Sequence, residues 1–222
     1  MRDPTITESE WLASNDPEEM YDRGIVRGSR RRMDLFCVAC ARLVCHLMDD
    51  EGARHAFEWL ETNPGRRETP TEPAGHVRDL FRGVARALYE AHHRRKGGVS
   101  GAATHIAYDF WADWYEYAFP NVREYFAEMP GILREDPLIY LSTVMRDIFP
   151  FRTVSINPAW VTSDLRALCV GMYDSQNFAA MPTVAHALTE AGCANQAILA
   201  HCRTTSRHVR GCWVVDLLIG KE

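Results

Sequence analysis

The sequence predicts a single, mainly α-helical domain. Apolar residues recur at three- and four-residue spacing along nearly the whole chain, and prolines and glycines separate the periodic stretches. Only the segment 150–161 has the composition of a strand, and it lacks a partner, so an extended connector is expected there. With 222 residues, of which 46% are apolar and 25% charged, the chain can bury a sizeable core.

The first part of the chain predicts two short helices and a long buried one. Thr5 or Thr7 is suited to cap a helix that contains Trp11, and the pair Asp16-Pro17 indicates a second helix start. The run 33–48, MDLFCVACARLVCHLM, is almost entirely apolar and predicts a central helix about 24 Å long, buried on most sides.

The rest of the chain predicts helices at 50–60, 76–93, 105–119 and 137–149, with a proline-rich loop at 63–74. The C-terminal part predicts four more, beginning at Ser163, Pro182, Asn195 and His208. We therefore expect one domain over residues 1–222. Its core comes from 5–62 and 136–222, and the segment 63–135 packs on that core as a variable insert.

The composition of the chain gives expectations about its cellular compartment and its binding partners. The net charge of −5 argues against nucleic-acid binding, which usually needs a basic face. The first residues lack the apolar run of a secretory signal, and no window reaches the roughly 18 apolar residues of a membrane span. Seven cysteines, an odd number, then indicate reduced thiols in the cytoplasm.

The last thirty residues concentrate side chains that bind metals. His201, Cys202, His208 and Cys212 together offer the thiolates and imidazoles of a tetrahedral zinc site. Their spacing differs from the tight C-x₂₋₄-C pair of structural zinc sites, which favours buried packing thiols instead. The sequence therefore predicts no cofactor, with zinc as the alternative.

A cysteine nucleophile is a third hypothesis. His208, Cys212 and Asp216 are four residues apart each time, so a helix through them would place all three on one face. Across that helix, however, His208 and Asp216 would be about 12 Å apart, too far for a direct hydrogen bond. No catalytic residue is therefore predicted.

Two further groups suggest binding surfaces. Arg42 and His46 lie on one polar stripe of the central helix, where solvent contact or a polar pocket for a carboxylate or phosphate are the alternatives. Trp111, Trp114 and Tyr115 belong to an aromatic segment whose interleaved acids would repel phosphate. The aromatic segment favours a protein partner, and a non-catalytic interaction module is the leading functional hypothesis, with the oligomeric state open.

Several blocks of the chain resemble a bacterial family of many paralogues. They are TESEWLASNDPEEM, LFCVACARLVCHLMDDE, the stretch from DIFPFRTVSINPAW to LTEAGC, and ILAHCRTTSRHVRGCWVVDLLIGKE. The family usually has two adjacent cysteines where this chain has Cys40-Ala41, and a tryptophan in place of Cys45. These departures weaken a metal site on the central helix. The resemblance implies a shared helical fold and implies no reaction.

Overall fold

The computed structural model describes residues 6–23, 29–42, 58, 61–64 and 136–221. Within them the chain is helical and contains no strand, which confirms the predicted all-α class for this part. The main helices of this part are α1 Glu8–Ala13, α2 Pro17–Arg23, α3 Arg30–Arg42, α4 Pro137–Ile148, α5 Ser163–Ser175, α6 Met181–Glu190, α7 Gln196–Arg203 and α8 Trp213–Ile219. His46 and the aromatic residues Trp111, Trp114 and Tyr115 lie outside the described residues, as do the predicted helices at 76–93 and 105–119.

Local capping fixes where the first helices begin. The Thr7 hydroxyl accepts a hydrogen bond from the backbone N–H of Glu10, whose carboxylate accepts one from the N–H of Thr7. This reciprocal capping box stabilises the first turn of α1. At α2, the Asp16 carboxylate accepts from the N–H groups of Glu18 and Glu19.

Helices α2, α3 and α4 pack into a first group. The hydroxyl of Tyr140 in α4 donates to the carbonyl of Ala39 in α3 at 2.7 Å, and the rings of Phe36 and Phe149 meet edge to face. The buried apolar residues of α3 and α4 are Leu35, Phe36, Val38, Ala39, Tyr140, Leu141, Val144, Met145 and Ile148. The central helix is described as far as Arg42.

At Arg42 the structure shows solvent contact, the first of the two alternatives for the polar stripe of the central helix. The Arg42 side chain is 46% exposed and forms an ion pair with Glu61. This exposure argues against a polar pocket at Arg42, although the Glu61 carboxylate that it pairs with is itself buried.

Helices α5 to α8 form the second group, with α6 against α7 and α5 against α8. Their shared core contains four free cysteines, all buried: Cys169, Cys193, Cys202 and Cys212. Thr162, one residue before the predicted Ser163, caps α5 by accepting from the N–H of Leu165. Before α5, the predicted extended connector contains a short 3₁₀ turn at Pro158–Trp160.

The last helix begins at Trp213 and not at His208. Gly211 takes a left-handed conformation with φ +98°, and Cys212 follows it as the N-cap of α8. This turn breaks the helix that we predicted through His208, Cys212 and Asp216, so the three residues do not share a helix face. Asp216 instead accepts hydrogen bonds from Arg31 of α3.

Replacing Gly211 by alanine is expected to lower the free energy of unfolding by about 1–3 kcal/mol, because a Cβ is strained at positive φ. The new atom would also lie 3.0 Å from Leu35 Cδ1 and 3.2 Å from Leu35 Cβ. Gly171→Ala is the matched control, since its Cβ would meet nothing within 4 Å and alanine favours a helix interior. Urea unfolding that gives both variants the same midpoint would refute the role of Gly211.

Candidate metal centre

Four potential metal ligands converge where the two helix groups meet. Asp147 lies near the end of α4, His201 in α7, His208 in the loop that follows α7, and Cys212 at the N-cap of α8. One ligand atom from each residue lies within 4.8 Å of the corresponding atoms of the other three. All four residues are buried or half-buried.

Asp147 is the centre of this cluster. One carboxylate oxygen, Oδ1, lies 2.6 Å from His208 Nδ1 and 3.0 Å from His201 Nε2. The other oxygen accepts the backbone N–H of Val209 at 2.7 Å. Burial opposes ionisation of the carboxyl, but the hydrogen bonds from His201 and His208 outweigh it and lower the pKa of Asp147 below its ordinary value. The side chain is therefore a buried carboxylate.

Trp213 fixes the proton position on His201 in this arrangement. The indole Nε1 of Trp213 lies 3.1 Å from His201 Nδ1, and indole N–H is a donor only. Nδ1 must therefore accept, and the neutral ring carries its proton on Nε2, which faces Asp147 and Cys212.

His208 also directs one ring nitrogen into the cluster. Its Nδ1 meets Asp147, while its buried Nε2 has no hydrogen-bond partner among the described residues. The ring thus interacts with the cluster through Nδ1.

The Cys212 thiol is fully buried between the two imidazoles. Its sulfur lies 3.3 Å from His201 Nε2 and 3.7 Å from His208 Nδ1. Burial first, and the Asp147 charge second, raise the pKa of Cys212 well above its usual value. Such a thiol does not supply a nucleophilic thiolate near neutral pH. A bound cation would reverse this balance, because a coordinating thiol is deprotonated outright.

The spacing of the donor atoms can be compared with a zinc tetrahedron. Zinc bonds of 2.0–2.3 Å imply ligand separations of about 3.3 Å between nitrogen and oxygen atoms and about 3.6 Å where sulfur is one partner. The nitrogen–sulfur distances of 3.3 and 3.7 Å and the His201–Asp147 distance of 3.0 Å are close to these values. Of these four distances, the 2.6 Å between Asp147 and His208 would have to open, by about 0.7 Å.

The structure brings together three of the four ligands predicted from the sequence, His201, His208 and Cys212. Cys202 is not among the clustered residues. It lies in the apolar core, where burial first, and then Cys169 and Cys193, raise the pKa of its thiol to about 12.

Asp147 was not among the ligands predicted from the sequence. The available signal was a charged residue within the apolar stripe of the predicted helix 137–149. Asp147 follows Val144 by three residues and precedes Ile148, and both of these neighbours are fully buried.

The cluster forms one wall of a cavity of about 670 Å³. Asp147, His201, His208 and Trp213 all line it, whereas Cys212 does not. Three of the four candidate ligands are thus reached from this space.

The fold and the site define an all-helical protein, over its described residues, with a buried Asp-His-His-Cys cluster. No protein-family model, curated protein or solved structure matches the chain. Among the described helices, none combines the length and the apolar content that crossing a bilayer requires.

Proposed function

We propose that the protein binds one divalent transition metal ion, zinc by preference, through Asp147, His201, His208 and Cys212. The convergence of their four donor atoms within 4.8 Å carries this proposal. A thiolate, two imidazoles and a carboxylate are donors that zinc takes, and four protein ligands complete a tetrahedron. Because Asp147 belongs to α4 and the others to the C-terminal group, the ion would join the two helix groups.

The histidine protons give the proposal a specific consequence. Zinc on His201 Nε2 would move that ring's proton to Nδ1, which would then face the indole N–H of Trp213. Two donors cannot share a hydrogen bond, so the indole must lose this partner when the ion binds. Zinc should therefore change the fluorescence of Trp213, and the change should be absent from Trp213→Phe.

Tag-free protein dialysed against zinc and then against buffer is expected to retain about one ion per chain, because the four ligands saturate the ion. Cys212→Ser and His208→Ala should lower the affinity by at least about 100-fold in a competition titration with a chelator dye. Cys202→Ala is the matched control, since it removes a buried thiol outside the cluster and should retain the ion.

Metal below about a tenth of an equivalent in the dialysed wild type would sink the proposal. The cluster would then be a hydrogen-bonded network of Asp147 with its two histidines. Equal loss of zinc in Cys202→Ala and Cys212→Ser would also count against the assigned ligand set.

The interaction module expected from the aromatic segment stays a prediction. Its residues Trp111, Trp114 and Tyr115 lie outside the described part of the chain, so the metal centre is the better supported proposal.

A further inference from the structure

We propose that the cavity beside the metal centre binds a small organic anion, with an oxyanion head group at Arg146 and an apolar body against the aromatic wall. This inference deepens the proposed function. It rests on that function only where it places a metal ion beside the ligand, because Arg146 and the aromatic rings are present with or without metal.

The cavity has the size and lining of a ligand site. Its volume of about 670 Å³ lies within the range of roughly 300–1,000 Å³ that is typical of small-molecule pockets. The rings of Trp11 and Phe151 are 6.3 Å apart, and Trp213 lies on the same lining. Hydroxyl groups add polar contacts around them, from Thr143, Thr153, Ser155, Thr204 and Ser206.

The acids that line the cavity already have partners. Glu8 and Asp147 are its two carboxylates. Glu8 Oε2 lies 2.8 Å from Nη2 of Arg152, whose side chain is 71% exposed. Asp147 accepts from both histidines and from Val209. Neither carboxylate is therefore available to balance another cation in the cavity.

Arg146 is a cation that lines this cavity and that has no paired carboxylate among the described residues. Its Nη1 donates to the carbonyl of Ser14 at 2.5 Å, and more weakly to the carbonyl of Trp11 and the sulfur of Met20. Among the described residues no carboxylate pairs with it.

Helix capping accounts for the hydrogen bonds of only one guanidinium nitrogen of Arg146, Nη1. Nη1 closes the C-terminal end of α1, where a cation is favourable. Within the described part of the chain, Nε and Nη2 of Arg146 make no hydrogen bond, and neither nitrogen is sealed from solvent. Two guanidinium nitrogens therefore remain for an oxyanion, which arginine binds through parallel hydrogen bonds.

The neighbouring residues indicate how a ligand would lie. Arg146 and Asp147 both line the cavity, so an oxyanion at the guanidinium and an ion at the candidate ligands would be reached from the same space. The guanidinium of Arg207, stacked 5.4 Å from the Tyr140 ring centre, also lines the cavity. The aromatic pair Trp11 and Phe151 would cover the apolar body of the ligand.

Phenylphosphonate is a suitable probe because it joins a phosphonate head to a phenyl body and resists hydrolysis. Calorimetric titration of zinc-loaded and metal-free full-length protein should show binding in both, tighter than that of inorganic phosphate. Arg146→Gln is expected to weaken binding by about tenfold or more. Arg203→Gln removes an exposed arginine outside the cavity and should leave the affinity unchanged.

If Arg146→Gln does not fold, Arg146→Lys keeps the charge but loses the fork, and should weaken phenylphosphonate binding several-fold. No binding of phenylphosphonate in either metal state, or equal weakening by Arg146→Gln and Arg203→Gln, would overturn the inference. Zinc retention without phenylphosphonate binding rejects this inference alone. Binding that depends on Arg146 in a protein that takes up no zinc rejects the metal proposal alone.

Discussion

Asp147→Ala is expected to lower the free energy of unfolding of metal-free protein by about 3–5 kcal/mol. The carboxylate accepts hydrogen bonds from His201, His208 and the backbone of Val209, and its side chain is only 3% exposed. Alanine would leave these donors without an acceptor in a site that water reaches poorly. Urea unfolding near neutral pH with a chelator present measures the loss.

Asp174→Ala is the matched control, because Asp174 is an exposed aspartate near the end of α5. Its removal should change the free energy of unfolding by no more than about 0.5 kcal/mol. If the two variants unfold at the same urea concentration, the Asp147 network contributes nothing to stability and the cluster is held by its surroundings. Asp147→Asn adds a further comparison, since it keeps an acceptor oxygen but loses the charge.

Arg31→Met is expected to cost about 3–5 kcal/mol of folding stability, because it leaves the Asp216 carboxylate buried without its partner. Arg31 binds Asp216 through both terminal nitrogens, at 2.5 and 3.1 Å, and Asp216 is fully buried. Arg31 also donates to the Tyr173 hydroxyl at 2.9 Å. Thermal or urea unfolding gives the size of the loss.

The double variant Arg31→Met/Asp216→Leu distinguishes the effect of an unpaired buried charge from the effect of side-chain packing at this site. Replacing both charges by apolar groups should recover most of the lost stability, since a buried ion pair and an apolar pair are often nearly equivalent. Arg152→Met removes the exposed partner of Glu8 and should cost at most about 1 kcal/mol. A double variant no more stable than Arg31→Met would show that packing at this site, and not an orphaned charge, causes the loss.

Local sequence was enough to predict where several of the helices begin. The caps at Thr7 and Asp16 join residues two or three positions apart, and so does that of Asn195 on α7. Such contacts are local in sequence, so residue types and their spacing alone predict them.

The boundary of the last helix needed more than local spacing. Apolar periodicity continues from His208 to Leu218, and nothing in that pattern shows that Gly211 turns left-handed. Its hydrogen atom allows close approach to Leu35 and Ile148, which belong to α3 and α4. Contact with distant helices thus decided where α8 begins.

The sequence by itself determined that this protein is helical and that its C-terminal end holds histidines and cysteines. Only the tertiary structure placed Asp147 between His201 and His208, 54 and 61 residues away along the chain, and Arg31 against Asp216, 185 residues away. Helix spacing fixes which residues share a face. Which faces meet depends on how all the side-chain volumes pack together, and no single segment contains that information.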